Sequence, residues 1–554
     1  MTKIKTVDYL VQELLKLGIT DVFGLPGDYN FDIIEAVERN NETNWVGCTN
    51  ELNAGYAADG YARIKGYGAL ITTYGVGELS AMNAIAGSYA ESVPVVHIVG
   101  VPKTKDIKNN TLLHHNFASP DYYAFERAFS NVTAATAYLD ETNAKEEIDR
   151  VLGVLINEKK PVYIAIPIDI CSLEIENNSE INVQKSDEDN LNAALEHALD
   201  VLNKAKQPVI MADILIERFG ALKEARSFIE RSGYPVTTLL MGKGLIDFNY
   251  ENFIGTYVGK FDNYNTYEYV NKSDCVITVG AILSDLNTFG FDLKFNPSDF
   301  IQIYGAYTVI ENHRYDNVLM ADILEKLSQN CPQKEFNLPE RVYSFGKSKN
   351  PESKKLQSSY IYLRMQEFLR ENDVIFSETG IVKFGMAPVR LPQGANLYNQ
   401  VLWGSIGWAT PAAFGAGIAL RNNPEKRVVL ITGEGSHQLT AQEISSIMRY
   451  NLKPVIIVLN NHGYTIERVL SKDPMDAFND IAIWNYSKLP HVFKGDVWTA
   501  QASTEFEFDE VLKQAEDKQK TKMCYIEIFA DKMDLPELAQ RTIKNRLAGK
   551  PAIA

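Results

Sequence analysis

The chain has 554 residues and, at about 150 residues per domain, is too long for a single core and sized for three or four domains. Its 71 acidic and 55 basic side chains give a net charge of −16. An acidic surface with no extended Lys/Arg run speaks against nucleic-acid binding, and 45% apolar with 23% charged residues excludes disorder as the main state.

Met1–Leu10 carries Lys3 and Lys5 but no apolar signal core, so no secretion signal is expected. Short β-branched runs then alternate with helical patterns, as in parallel sheets with crossover helices. In the first third the spacing predicts strands at Asp21–Gly24, Gly68–Thr73, Val93–Val99 and Pro161–Ile166. Helices are predicted at Thr6–Leu17, Glu51–Ile64, Leu79–Glu91 and Ala144–Asn157. The polar stretch Glu174–Asn190 reads as a linker. Strands follow at Pro208–Ala212, Pro235–Leu240, Asp274–Gly280 and Asp299–Tyr304, then a second linker at Pro332–Lys355. The last third predicts strands at Asp373–Ser377, Arg427–Thr432, Pro454–Asn460 and Cys524–Phe529. The fold class is α/β: three domains, each a mainly parallel sheet flanked by helices, over 1–180, 190–340 and 356–554. Apolar runs such as Pro94–Val101 fall far short of the ~18 residues that span a bilayer. Cys48, Cys171, Cys275, Cys331 and Cys524 are scattered without a CxxC, which suits reduced, mostly buried thiols in a cytoplasmic protein.

The strongest local signal runs from Arg427 to Arg468: strand, Gly-Glu-Gly-Ser turn, helix, strand, Asn-Asn turn. Thr440–Tyr450 has helical apolar spacing suited to packing on a sheet. Gly433 and Gly435 let the backbone approach a bound group, and a helix N-terminus offers N–H groups to an anion. Glu434 and Asn461 fall at the C-terminal ends of two parallel strands, where open α/β sheets bind ligands. A carboxylate, an amide oxygen and backbone carbonyls form an oxygen set suited to magnesium on a diphosphate. The plainer alternative is two tight turns. Dinucleotide and Walker-type sites are disfavoured, because the third glycine of GxGxxG and any GxxxxGK[ST] are missing. His437 and His462 flank the same turns and raise a transition-metal alternative, although side chains in such turns usually face solvent.

A G-acid-G turn followed 27 residues after the acid by Asn resembles the thiamine-diphosphate fingerprint. GEGSHQLTAQEIS and NNHGYTIER more narrowly resemble the family of pyruvate, indolepyruvate and branched-chain 2-oxo acid decarboxylases. Further motifs fall in the family's order: GLPGDYN at Gly24–Asn30, NELNAGYAADGYAR at Asn50–Arg63, TTYGVGELSAMNA at Thr72–Ala84, LLHH at Leu112–His115 and LWGSIGWATP at Leu402–Pro411. The resemblance spans essentially the whole chain. It implies non-oxidative decarboxylation of a 2-oxo acid, whether pyruvate, branched-chain or aromatic, to an aldehyde and carbon dioxide through a thiamine-diphosphate ylide with Mg²⁺.

On residues alone, Glu51 is an ordinary helix-start acid, Asp28 a turn residue, and His114 and His115 one buried and one solvated imidazole. The resemblance instead implies that Glu51 bonds the cofactor's aminopyrimidine, while Asp28, His114, His115 and Glu467 surround the reacting carbon. Glu467 would position the substrate carboxylate; Asp28 and His115 would assist aldehyde release. Ile406 matches the wedge that bends the cofactor. Gly75, Thr379, Gly404, Gly433, Gly435, Ser436, Asn461, Gly463, Tyr464, Thr465 and Ile466 would hold the cofactor, and Glu434, Asn461 and Gly463 the metal.

Three departures matter. The metal-binding acid is Glu434 where the family has Asp, so altered metal preference is expected, with calcium or manganese better tolerated. ETGIVKFG at Glu378–Gly385 puts Lys383 either in the substrate channel or out toward solvent. Ile466 would set pocket size. The resemblance implies a homodimer or homotetramer with sites between subunits, and no nucleic-acid or membrane partner. An acetolactate-synthase-like carboligase is the alternative, opposed by the His-His pair and the GYTIE glutamate. A catalytically silent regulatory homologue is encouraged only by the altered GEG turn.

Overall fold

Three sheets organise the chain in a computed structural model that describes residues 2–261, 264–293, 300–341, 345–346 and 350–547. In the first, parallel strands run in the spatial order Asn44–Gly47, Asp21–Gly24, Gly68–Thr73, Val95–Val101, Val162–Pro167, Ala135–Tyr138. The third has the same order of succession: Asn396–Tyr398, Val374–Ser377, Val428–Gly433, Val455–Asn460, Cys524–Phe529, Trp498–Ala502, again parallel throughout. In both, the strand order reverses between the first and third strands in sequence, the switch point outside which open α/β sheets bind ligands. The middle sheet has seven strands, five parallel from Phe253–Thr256 to Phe300–Ile303, then an antiparallel meander through Tyr307–Ile310 and His313–Asp316.

The central strands form because they are continuous apolar runs covered on both faces. All seven residues of Val95–Val101 and all six of Val455–Asn460 are buried. These strands, like Asp21–Gly24, Gly68–Thr73, Pro208–Ala212 and Cys524–Phe529, match the expected positions to within two residues.

The described residues gather into two units. The first comprises Met1–Gln184, Thr410–Pro424 and Thr440–Leu452; the second comprises Lys185–Ala409, Glu425–Leu439 and Lys453–Ala554. In the first unit, the helix Glu51–Lys65 meets the helix Ala409–Leu420 through small residues. A Cβ on Gly60 would lie 2.0 Å from the Ala412 carbonyl, and one on Gly415 would lie 1.9 Å from that of Ala57.

Two expectations need correction. Glu174–Asn190 is not a plain linker: Glu174–Glu176 pairs antiparallel with Lys3–Lys5, setting Glu176 opposite Lys3 and Glu174 opposite Lys5. Its acidic end opens the helix Glu188–Lys204, where the Asp187 side chain accepts from the Asn190 N–H and acids match the helix dipole. The single helix expected over Thr440–Tyr450 is instead a 3₁₀ turn at Ala441–Glu443 followed by a helix at Ile444–Arg449. Of the expected linker Pro332–Lys355, residues 342–344 and 347–349 lie outside the described residues; residues 332–341 form no regular element. No described helix is long and apolar enough to cross a membrane.

Candidate active site

In the first unit the turn after Asp21–Gly24 presents Asp28, and the segment after Thr111 brings two histidines to it. His114 Nε2 lies 2.7 Å from an Asp28 carboxylate oxygen, and His115 Nε2 lies 3.9 Å from the other. Tyr29 Oη is 3.3 Å from His114 Nδ1, and Tyr74 donates its hydroxyl proton to the His114 carbonyl. His115 is held at φ +71°, a left-handed conformation unusual for a residue with a Cβ. Gly75 makes room for it: Gly75 has φ +66°, and a Cβ there would stand 2.1 Å from the His115 carbonyl oxygen. Gly75 also caps the helix Val76–Ala90, donating its N–H to Glu78 at 2.6 Å. Burial and the Asp28 charge push the Tyr29 phenol up to about 12, so it is a hydrogen-bonding group and not an ionised one.

Glu51 opens the helix Glu51–Lys65, capped by the Asn50 side chain, which accepts from the Asn53 N–H at 2.8 Å. Half-burial raises the proton affinity of the Glu51 carboxyl. A Cβ on Gly77 would come within 3.3 Å of Glu51 Oε1, so glycine there leaves the carboxylate its space.

In the second unit the glycines at the C-terminal ends of the third sheet face open space. No atom lies within 4 Å of a Cβ built on Gly380 or Gly433, and only a Thr379 methyl reaches one on Gly404. Gly435 instead packs on the Tyr464 ring. Glu378 is buried beneath these turns, accepting from Thr379 N at 3.0 Å, Ala409 N at 3.3 Å and Thr432 Oγ1 at 3.4 Å. Burial raises it to about 7. Ile406, in the turn before Gly407, is 36% exposed and so not part of this unit's core. Ser436 is buried, Thr465 donates to the Lys532 carbonyl at 3.0 Å, and Ile466 packs half-buried against the apolar core.

Glu434 stands at the end of Val428–Gly433, and its Oε1 accepts from Gly463 N at 2.7 Å and Asn461 N at 3.3 Å. The Asn461 side-chain amide stands beside the Glu434 carboxylate, its nitrogen donating to Glu434 Oε2 at 3.2 Å and to the Gly463 carbonyl at 3.0 Å and its oxygen accepting from Thr465 Oγ1 at 2.8 Å. A carboxylate, a side-chain amide and a backbone carbonyl are thus gathered in one turn, and their oxygens are donors of the kind that suits a hard divalent cation. Burial, partly offset by the backbone N–H groups, raises the Glu434 carboxyl to about 7. Gly463 has φ +128°, and buried Arg468 fastens the loop by donating to the carbonyls of His462 at 2.8 Å and Pro474 at 3.0 Å. Glu467 is exposed in the first turn of the helix Thr465–Leu470. Glu434, Asn460, His462, Trp484 and Tyr486 line a cleft of about 340 Å³. A larger cleft of about 790 Å³ in the same unit is lined by none of the expected site residues.

Asp28, Glu51, Gly75, His114 and His115 thus belong to one unit, and the remaining expected residues to the other. One expectation fails and one alternative closes. His437 does not face solvent: it is fully buried, Nε2 3.0 Å from Tyr525 Oη, and burial lowers it to about 3, which leaves it a neutral core imidazole. Lys383 does not snorkel outward; it is 4% exposed, with its ammonium 5.6 Å from the centre of the Phe384 ring. Tyr29, Tyr74 and Glu378 were missed. Their signal was adjacency to Asp28, Gly75 and Thr379.

Three family models match in order: the N-terminal thiamine pyrophosphate (TPP) binding domain of thiamine pyrophosphate enzymes at 4–125, their central domain at 195–329 and their C-terminal TPP binding domain at 379–528. The chain is 37% identical over 549 residues to a pyruvate decarboxylase of Candida glabrata, covering 97% of each. It is 36% identical to those of Kluyveromyces lactis and, as isozyme 1, Saccharomyces cerevisiae, again over 97% of both chains.

Proposed function

We propose that this chain, which belongs to the thiamine pyrophosphate enzyme family and is a non-oxidative 2-oxo acid decarboxylase, uses pyruvate as its substrate. Its cofactors are thiamine diphosphate and a divalent metal. The observation that carries the assignment is the gathering of Asp28, His114 and His115 around one point, beside full-length similarity to pyruvate decarboxylases. That similarity favours decarboxylation over carboligation.

When bound, thiamine diphosphate supplies the electron sink that lets carbon dioxide leave. The protein's part is binding, orientation and proton transfer. Glu434, Asn461 and Gly463 would hold the metal, and the backbone around Gly380, Gly404 and Gly433 leaves space for the diphosphate. Thr379, Gly435, Ser436, Tyr464, Thr465 and Ile466 complete the cofactor's surroundings, with Ile406 as its support. Glu51, with its proton affinity raised, would exchange a proton with the pyrimidine end of the cofactor. Asp28 and His114, hydrogen-bonded at 2.7 Å, with His115 3.9 Å from the same carboxylate, would hold a proton for the product carbon, and Glu467 would orient the substrate carboxylate.

We read the working molecule as a homodimer or homotetramer in which chains share sites, as the resemblance to the decarboxylase family implies. Apolar side chains left exposed beside each group of site residues support this: Leu112 and Phe117 in one unit, Ile483 and Trp484 in the other. Five cysteines, none of them in a disulfide, support a cytoplasmic setting.

Steady-state kinetics with pyruvate, 3-methyl-2-oxobutanoate, phenylpyruvate and 2-oxoglutarate test the substrate. Pyruvate should give the highest kcat/KM; a branched or aromatic acid ranking first would overturn the assignment. Lys383→Ala should change that ranking if Lys383 reaches the substrate, and an unchanged ranking removes it from the pocket.

A further inference from the structure

We propose that Glu443 is a positioning residue for Glu51, gripping the chain on both sides of it and thereby setting where its carboxylate stands. The inference rests on the reading that Glu51 exchanges a proton with the cofactor.

Glu443 closes the LTAQE run in the last third of the sequence, yet it lies within the first unit and is fully buried. One of its oxygens, Oε2, accepts from Thr49 Oγ1 at 2.5 Å, Asn53 Nδ2 at 2.8 Å and Thr49 N at 3.4 Å. Thr49 is two residues before Glu51 and Asn53 two residues after. Asn53 Nδ2 also donates to Thr49 Oγ1 at 3.0 Å, and Asn50 caps the same turn through Asn53 N. The backbone carrying Glu51 is therefore tied to one distant carboxylate at residues −2 and +2. Tyr450, from the same segment as Glu443, extends the grip by accepting from Gly47 N at 2.9 Å.

The chemistry of the clamp points to geometry, not stability. Glu443 Oε1 and Asn53 Oδ1 are buried without a hydrogen-bond partner. Such groups cost free energy, so an apolar pair of similar size would serve the fold better. What the carboxylate provides is an acceptor with room for three donors at one point. A Cβ on Gly77 would stand 3.3 Å from Glu51 Oε1, so the carboxylate lies against the first turn of the helix Val76–Ala90 and a shift of its own backbone would change that approach. A displacement of about 1 Å costs on the order of 10²-fold in rate.

The test compares Glu443→Ala, Glu443→Gln and Glu51→Gln. In the cofactor-free protein, hydrogen exchange followed by mass spectrometry should show Glu443→Ala raising exchange at residues 49–54 about 10-fold, while strands Gly68–Thr73 and Val95–Val101 keep wild-type protection. Glu443→Gln keeps an acceptor oxygen and should restore protection. In the cofactor-loaded enzyme, Glu443→Ala should lower kcat about 10²-fold with KM within about 3-fold, and Glu443→Gln should recover most of it. Wild-type exchange at 49–54 with wild-type kcat overturns the proposal, as does loss of protection throughout the first unit, which would mean a role in the fold alone. If Glu51→Gln keeps wild-type kcat while Glu443→Ala loosens residues 49–54, the clamp stands and the reading of Glu51 falls.

Discussion

Glu434 carries one methylene more than the aspartate of related G-acid-G turns, and its carboxylate bends back onto Gly463 N at 2.7 Å. Magnesium accepts little departure from octahedral geometry, whereas calcium takes longer and more varied bonds. Glu434→Asp should therefore raise activation by magnesium relative to calcium and manganese; identical metal profiles for the two proteins would contradict this. The raised proton affinity adds a pH signature. With a folded value of about 7 against an unfolded value near 4.3, the protonated form contributes stability that is fully present below about 4.3 and lost as pH rises through 7. The metal-free protein should gain Tm between pH 8 and pH 6, and Glu434→Gln should reduce that gain. Protons and metal also compete for this carboxylate, so metal affinity should weaken below pH 7. At this scale the grouping of Asp28 with the histidine pair and of Glu434 with Asn461 was legible from the order of the motifs, and the structure brings each group together. His437 was misread because burial depends on what packs over a turn: Tyr525, which covers His437, is 88 residues away.

The segments carrying these residues depend on close backbone approaches. Gly75→Ala would put a Cβ 2.1 Å from the His115 carbonyl at a positive φ. The loop bearing His114 and His115 must then move, lowering kcat by about 10²-fold and destabilising the protein by about 1–3 kcal/mol. Thermal unfolding and kinetics on that variant check this; wild-type kcat would show that the histidine loop does not need Gly75. Central strands were legible because both faces are apolar, as in Val95–Val101. Missed strands such as Asn44–Gly47, Ala135–Tyr138, Asn396–Tyr398 and Trp498–Ala502 are sheet edges, short and only partly covered, so their pattern is weak. Glu174–Glu176 escaped notice because its partner, Lys3–Lys5, is 171 residues distant.

For the whole molecule, two sheets share one strand order, and their switch points carry the two groups of site residues. Motifs in order along the sequence implied that plan. The assignment of Thr410–Pro424 and Thr440–Leu452 to the first unit was not legible, since these segments are separated from Met1–Gln184 by more than two hundred residues. Shared sites predict complementation. Glu51→Gln and Asn461→Ala chains, each nearly inactive alone, should regain part of wild-type activity when co-expressed, because a mixed pair can assemble one site free of both changes; no gain would mean that each chain completes its own site. As a decarboxylase the chain releases an aldehyde and does not join two substrates. The most direct measurement is product analysis with pyruvate, thiamine diphosphate and magnesium. One acetaldehyde for each carbon dioxide is the predicted result; acetolactate as the main product, or no turnover with any divalent metal, would contradict it.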